Sequence, residues 1–468
     1  MAPAMTICCM GAGYVGGASM AVVASRCPDV HVLVVDIDAA KIDAWNSVDL
    51  ALPIMEPGLP ELLAETRGRN LFFRTDIDTC IAAAEIIFVC VDTPIKTSGL
   101  GAGSASDTSK CEDCARRIAQ VARSRKIVVE KSTVPVRTAD SLKEVLRANA
   151  TSADVTFDVV SNPEFTSEGS AIAHLTRPDR VLIGGDPTPR GAAAVQRLVW
   201  LYEHWVPREK ILTASVWSSE LAKLVANAFL AQRISSINSI SAICEATGAN
   251  VNEVARAVGA DDRIGPQFLQ ASLGFGGSSF QRDVLSLVYI AQTLNLPEVA
   301  AYWRRVVDIN DYQKQRFVRK MLQVMYNSVT HKKICLFGFA YKKNTLDTRE
   351  TAAGSVVRAL LIEKAKIAIY DPYVREDDVR AELCRQGIDR DAVQSDVSFH
   401  SDPYDAAHGA HAIAVITECE ELRRLDYNRV YDQMTKPAFF FDGRNVLPHK
   451  HLQSIGAEVH AIGQGILK

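Results

Sequence analysis

Short apolar runs alternate with helical patterns along most of this chain. Met5–Met10 is apolar, Gly11–Gly17 is a glycine-rich turn, Val15–Val23 opens a helical pattern, and His31–Val35 is apolar again and ends at Asp36. Further apolar runs lie at Ile86–Val91, Lys126–Val129, Val155–Val160 and Arg180–Ile183. Strands this uniformly apolar, separated by helices, predict a parallel sheet covered on both faces.

The pattern changes at Ser218. From Ser219 to Thr247 there is neither Gly nor Pro until Gly248, and apolar residues recur at helical spacing (Leu221, Leu224, Val225, Ala228, Phe229, then Ile234, Ile237, Ile240, Cys244). This predicts one helix of about 28 residues, roughly 42 Å long. Helical patterns continue over Asn250–Val258, Val284–Leu294 and Val299–Tyr326. A second strand–turn–helix–strand unit follows: Lys333–Phe337, Gly338, Thr351–Lys364 and Lys366–Tyr370 ending at Asp371, with more strands at Ala412–Thr417 and Ala438–Phe441. The fold class read from this is α/β: two doubly wound, Rossmann-like domains joined by a long central helix and a helical middle. The boundaries are expected at 1–215, 216–328 and 329–468.

Composition narrows the function. Of 468 residues, 48% are hydrophobic and 23% charged, which excludes wholesale disorder. Lys and Arg total 52 against 55 Asp and Glu, so the chain has no global field to hold nucleic acid or an anionic membrane. Any anionic ligand therefore needs a local site. No apolar run approaches the roughly 18 residues a membrane helix needs. Residues 1–25 carry no charge, but Gly11, Gly13, Gly16 and Gly17 interrupt them and no basic residue precedes Arg26, which argues against a signal peptide. The 11 Cys are odd in number and scattered, and Cys111-x-x-Cys114 stands alone. Free thiols, a cytoplasmic location and no metal are the expectation.

Gly11-Ala12-Gly13-Tyr14-Val15-Gly16 follows a strand and opens a helix. The first glycine permits the tight turn, the second lets backbone approach a pyrophosphate, and the third lets helix and strand pack closely. The helix N-terminus then offers free N–H groups to phosphate. Asp36 lies 20 residues beyond Gly16, placed to accept from a ribose 2′-OH and repel a 2′-phosphate. NAD is therefore favoured over NADP, with Lys41 able to soften that choice. The second unit has Gly338-Phe-Ala-Tyr-Lys342-Lys343 instead, which lacks the later glycines but suits a phosphate through its lysines or leaves them as a solvated pair.

Three further stretches invite chemistry, each with a plain structural alternative. Lys223 and Asn227 are one helical turn apart and project from one face, or else form a solvent-facing pair. Asn162-Pro163-Glu164-Phe165 follows a strand end, where α/β sheets place ligand loops, or is only a turn. In Gly274-Phe275-Gly276-Gly277-Ser278-Ser279, glycines precede a helix that begins near Phe280. Ser278 or Ser279 would cap it, and Asp283 would complement its dipole.

Taken together, Gly11–Gly17, Val91-Asp-Thr-Pro94, Glu130-Lys-Ser-Thr-Val-Pro-Val136, Asn162–Phe165, Trp217–Leu221 through Asn227, Gly274–Ser278, Asp347-Thr-Arg-Glu350 and Asp442-Gly-Arg444 carry a resemblance. Over nearly its whole length the chain resembles the UDP-glucose 6-dehydrogenase family of animals and other eukaryotes. The resemblance implies an enzyme that oxidises C6 of a UDP-sugar twice, alcohol to aldehyde to carboxylate, with two NAD in succession and no metal. It implies catalytic roles for Lys223 at the developing oxyanion, Asn227 as a supporting donor, Asp283 in activating water, and Glu164 and Thr133 as acid–base and positioning partners. Cofactor contacts would come from Gly11, Ala12, Gly13, Tyr14, Val15, Gly16, Asp36, Lys41, Val91, Thr93, Pro94, Ser132, Thr133, Glu168 and Arg349. Substrate contacts would come from Glu164, Phe165, Lys223, Asn227, Phe275, Gly276, Tyr341, Lys342 and Arg444, and from Arg263 across a subunit boundary in a homo-oligomer.

One position departs from the family. Its nucleophile is a Cys directly after Gly-Phe-Gly-Gly-Ser, and this chain has Ser279 there. A thiol is partly ionised near neutrality, whereas a hydroxyl stays protonated without an adjacent base. The resemblance therefore implies a chain that binds both ligands but turns over slowly, stalling at or before the acyl-enzyme. Two alternatives stay open at this point: a related dehydrogenase of UDP-N-acetylmannosamine or GDP-mannose, and a catalytically silent binder of UDP-sugar and NAD.

Overall fold

The computed structural model describes residues 4–49 and 51–465. The first three residues of the uncharged opening stretch, and the outermost ends of the expected first and last domains, lie outside them. The chain forms two compact units. Unit 1 takes the residues up to Ala226 together with Leu285–Leu294, and unit 2 takes Asn227–Val284 and the residues from Asn295 on.

Unit 1 is built on eight strands: β1 (Met5–Met10), β2 (Val30–Val35), β3 (Leu71–Arg74), β4 (Ile86–Val89), β5 (Lys126–Glu130), β6 (Phe157–Ser161), β7 (Val181–Gly185) and β8 (Ile211–Ser215). Their order in the sheet is β3-β2-β1-β4-β5-β6-β7-β8. Alternation along each strand sends side chains to opposite faces. Ile7 and Cys9 join one buried cluster with Val32, Val34 and Phe88. Cys8 and Met10 join the other with Leu33, Val35 and Ile87. Both faces are thus dry, which is why these strands read as continuous apolar runs. The expectation of an all-parallel sheet needs one correction. β7 pairs with β6 antiparallel through Ser161 and Gly184, and β8 runs parallel to β7. A hydrophobic run buried on both faces looks the same in either direction, so the pattern could not distinguish them.

Unit 2 repeats the plan with six strands: β9 (Lys333–Phe337), β10 (Lys366–Tyr370), β11 (Val397–His400), β12 (Ala412–Val415), β13 (Phe439–Asp442) and β14 (Glu458–Ala461). The order is β11-β10-β9-β12-β13-β14, all parallel. The helix Val216–Thr247 has 32 residues and Pro297–Val324 has 28. The first buries an unusual set of polar side chains, including Ser219, Glu220, Lys223, Asn227, Asn238 and Ser241. All eleven Cys carry free thiols, nine of them buried. Among the described residues no helix is long and apolar enough to cross a membrane.

Candidate active site

In unit 1 the turn after β1 is shaped by sterics. Gly11 has φ +108°, and a Cβ there would stand 2.5 Å from the Cys90 carbonyl oxygen. A Cβ on Gly16 would lie 2.0 Å from the Gly11 oxygen, so the helix Tyr14–Arg26 can approach only without one. A Cβ on Gly13, by contrast, would meet nothing within 4 Å. That open space lies at the helix N-terminus, which no side chain caps and where no acidic residue sits in the first turn. These residues fit a dinucleotide pyrophosphate.

Asp36 closes the turn. Its Oδ2 accepts from Ala12 N at 2.9 Å and from Lys41 Nζ at 3.1 Å, and its Oδ1 accepts from Asp38 N at 3.0 Å. Burial alone would raise its pKa; these donors outweigh it and hold the carboxyl below its ordinary range. The loops after β4 and β5 are laced together: Thr93 Oγ1 donates to the Thr133 carbonyl at 2.7 Å and Ser132 Oγ to the Val91 carbonyl at 2.6 Å. The Pro94 carbonyl accepts from Asp107 N at 2.7 Å.

Glu56, Trp45 and Lys131 were not singled out from the sequence, yet they hold this region. Buried Glu56 accepts from the Tyr14 hydroxyl and Gly169 N, and from Ala171 N at 2.9 Å. It thereby links the glycine turn to the loop carrying Glu168. Trp45 Nε1 donates to the Ala12 carbonyl at 2.8 Å. Lys131 Nζ lies 2.9 Å from Glu164 Oε2. Glu164 Oε1 also accepts from Phe165 N at 2.8 Å and Thr166 N at 3.1 Å. Burial would push this carboxyl up, but the charge and hydrogen bond of Lys131, the Phe165 N–H and the charge of Lys223 keep it below the usual carboxylate range. The Phe165 ring has the Arg180 guanidinium 3.8 Å from its centroid and Lys223 Nζ 5.3 Å from it. Lys223 is buried, not solvent-facing.

In unit 2, Asn227 is also buried and its Nδ2 donates to Asp283 Oδ2 at 2.6 Å. Asp283 Oδ1 accepts from Arg282 Nε at 2.9 Å. The expected role of Asp283 as a dipole-balancing residue on the helix Phe280–Thr293 is therefore incomplete: its carboxylate is 1% exposed and committed to side chains. Ser279 stands just before that helix, with its carbonyl accepting from Asp283 N at 2.9 Å.

The loop Gly274–Gly277 is pinned from two sides. Asn310 accepts from Phe275 N at 2.8 Å and donates back to the Phe275 carbonyl at 3.0 Å. A Cβ on Gly276 would stand 2.4 Å from the Glu350 carbonyl, and one on Gly277 would stand 2.7 Å from the Tyr341 ring. Gly277 N donates to the Arg349 carbonyl at 2.9 Å. This brings Phe275, Gly276, Tyr341 and Arg349 into one neighbourhood of unit 2, with Lys342 Nζ 5.7 Å from the Tyr341 ring centroid. The Arg349 side chain pairs with Asp347 at 2.5 Å. Arg444 Nε donates to the Ile416 carbonyl at 2.6 Å and faces Glu418 at 3.3 Å. Arg263 is 89% exposed and paired to Asp261, so it is not drawn into either set.

The second turn mirrors the first. Gly338 has φ +88°, with Thr417 O 2.5 Å from where a Cβ would be, and Asp371 Oδ2 accepts from Phe339 N at 2.7 Å and Ala340 N at 3.0 Å. It keeps the scaffold of a nucleotide turn without the open glycine that accommodates a pyrophosphate. Among the described residues no group of three His, Cys, Asp or Glu is placed to hold a metal.

Comparison with known proteins agrees with this geometry. Three models of the UDP-glucose/GDP-mannose dehydrogenase family match in chain order: the NAD binding domain over residues 5–206, the central domain over 217–312 and the UDP binding domain over 335–449. The chain is 54% identical over 462 residues to the UDP-glucose 6-dehydrogenase of Drosophila melanogaster, covering 98% of this chain and 96% of that one. It is 55% identical over 468 residues to one from Oryza sativa subsp. japonica, covering 98% and 97%. A solved UDP-glucose dehydrogenase from Pyrobaculum islandicum superposes with a TM-score of 0.84 at 27% identity, over 99% of this chain and 98% of that one. NAD is the cofactor, and the family model of its binding domain spans the Gly11–Gly16 turn and Asp36. The chain belongs to the UDP-glucose 6-dehydrogenase family.

Proposed function

We propose that this chain oxidises the C6 carbinol of UDP-glucose to the aldehyde and on towards UDP-glucuronate, with Ser279 slowing the second half. The observation that carries the reading is the buried set on the long helix: Lys223, and one turn later Asn227 bonded to Asp283. A buried ammonium and amide one turn apart on the long helix, with a buried carboxylate on the helix Phe280–Thr293, are costly to desolvate and are explained by chemistry that needs them.

NAD supplies the hydride acceptor, once for each oxidation. Lys223 brings positive charge to the oxygen that gains charge as the C6 hydrogen leaves, where a desolvated donor is worth most. Asn227 donates to that oxygen or to a water, and its orientation is set by Asp283. Asp283, with both oxygens already accepting, is oriented to receive a proton from water. Glu164, held as an anion, and Thr133 are substrate-side partners. In unit 2, Lys342 and Arg444 are the phosphate and nucleotide partners, Tyr341, Phe275 and Gly276 shape their surroundings, and Arg349 approaches from the same loop. Arg263, exposed and outside both sets, suits a contribution to a neighbouring subunit in a dimer or larger homo-oligomer.

The second oxidation needs a nucleophile on the aldehyde carbon. Attack by Ser279 Oγ forms a C–O bond as the carbonyl π bond opens onto its oxygen, and the hydroxyl proton must pass to a base or to that oxygen; among the described residues the hydroxyl makes no hydrogen bond to a base. The aldehyde or its adduct is therefore expected to accumulate. The experiment is a sugar-nucleotide panel: UDP-glucose, UDP-N-acetylmannosamine and GDP-mannose are each mixed with enzyme and NAD, and NADH is read at stoichiometric protein. A burst with UDP-glucose alone supports the reading; a burst with another sugar reassigns the substrate. Binding of both ligands with no NADH from any sugar leaves a silent binder.

A further inference from the structure

Inside unit 1, beneath the Asn162–Thr166 loop, sits a lysine of the Glu130–Val136 motif to which the reaction gives no role. Lys131 directly follows β5 and is 4% exposed. Its ammonium has three acceptors, one for each proton: Glu164 Oε2 at 2.9 Å, Asn162 Oδ1 at 3.2 Å and the Tyr202 hydroxyl at 3.3 Å. Those acceptors are themselves fixed. The Tyr202 hydroxyl donates to Asn162 Oδ1 at 2.6 Å, and Asn162 Nδ2 donates to the Leu182 carbonyl at 2.8 Å. Ser19 Oγ, on the helix that opens at the glycine turn, donates to Glu164 Oε2 at 3.4 Å.

We propose that Lys131 is a positioning residue for the oxidation: its buried ammonium clamps Glu164 as a carboxylate and so fixes the loop that presents Glu164 and Phe165. A buried ion pair this fully satisfied is a poor source of stability, since desolvating two charges offsets most of their attraction. It is a good way to set a protonation state and a geometry. With both oxygens of Glu164 occupied by donors, the group serves as a fixed acceptor and not as a proton donor. The clamp rests on the proposed reaction only in that Glu164 is taken as a substrate-side group.

The groups facing Glu164 come from every neighbouring element. They are Lys131 after β5, Tyr202 on the helix Pro189–Tyr202, Ser19, Lys223 on the long helix, and Arg180 before β7. Cys90, after β4, faces Lys131. Lys223 and Arg180 favour the anion from further away, so removing Lys131 weakens the hold on Glu164 without abolishing it.

The test follows the first NADH burst from UDP-glucose in the full chain between acid and alkaline pH. In Lys131→Met the acid limb of the burst rate is expected to move up by about one pH unit or more, because a buried carboxyl losing its adjacent cation protonates more readily. Placing Lys131→Met on a Glu164→Gln background should produce no further movement. A uniform loss across pH, or an unmoved profile, overturns the proposal. If Lys131→Met does not fold, Lys131→Gln, which keeps a donor and removes the charge, is read by the same criteria. If the parent chain gives no burst, the reading of the reaction has failed, and the clamp is judged by infrared spectroscopy alone. A protonated-carboxyl band at neutral pH in the lysine variant, absent when Glu164→Gln is added, supports it, and no such band overturns it.

Discussion

Asn227 Nδ2 and Asp283 Oδ2 meet at 2.6 Å inside unit 2, and both side chains are buried. An amide that donates one N–H to a carboxylate at this distance has one orientation, which also fixes the direction of its second N–H. The pair therefore fixes which Asn227 group faces its surroundings.

Asp283→Asn removes the carboxylate while keeping the shape. NADH formation from UDP-glucose is expected to fall by roughly 100-fold or more, the usual loss when a positioned acid–base group is removed. Calorimetric affinity for UDP-glucose should change little. A large loss of affinity with an unchanged rate would make Asp283 a binding residue only.

Asp36 is the second target. Asp36→Ala deletes the acceptor for Ala12 N and the carboxylate partner of Lys41. Affinity for NAD is expected to fall by about 10-fold or more, on the scale of a lost charged hydrogen bond. Use of NADP should rise relative to NAD. An unchanged preference would show that Asp36 serves the turn and not the ribose.

Stability should respond to pH through a different pair. The carboxyl groups of Glu130 and Glu220 face each other inside unit 1. Glu220 accepts from Arg137 N at 2.7 Å and Ala139 N at 2.8 Å, while neither oxygen of Glu130 meets an N–H donor. Burial, followed by the Glu220 charge, raises Glu130 well above its ordinary value. A raised acid binds its proton more tightly folded than unfolded. Its stabilising contribution is full below the unfolded value, about 4.3, and is lost as pH climbs towards the folded one. Glu130→Gln puts an amide N–H where a protonated Glu130 carries its proton. Urea unfolding should show the variant losing less stability than the parent between pH 5 and pH 8, by about 1 kcal/mol or more. Equal slopes would exclude a proton shared between the two acids.

How much of this was legible in the chain depended on burial. The central strands, such as Met5–Met10, Lys333–Phe337 and Lys366–Tyr370, stand where the apolar runs placed them. The strands the pattern did not reveal are β3, β8, β11 and β14, and all four are sheet edges. Edge strands are covered less and carry polar residues, as Ile211–Ser215 does, so their alternation is faint. The long helix was visible because nothing in it breaks helical spacing. That Lys223 and Asn227 face inward was not, since a helical face is only known once its neighbour is. Glu56, Lys131 and Tyr202 were hidden for a further reason. Each acts through a partner more than 30 residues away in sequence, as Lys131 does with Glu164. Glycines were more transparent, because turn geometry is local: Gly11 and Gly16 are sterically required, as their spacing implied.

Ser279 carries the decisive measurement. NADH formed per UDP-glucose consumed is counted for the chain and for Ser279→Cys, with the nucleotide product identified. The account predicts a slow chain that stops near one NADH, and a faster cysteine variant that yields two NADH with UDP-glucuronate. No NADH from the cysteine variant, or the same rate and stoichiometry in both proteins, would contradict it.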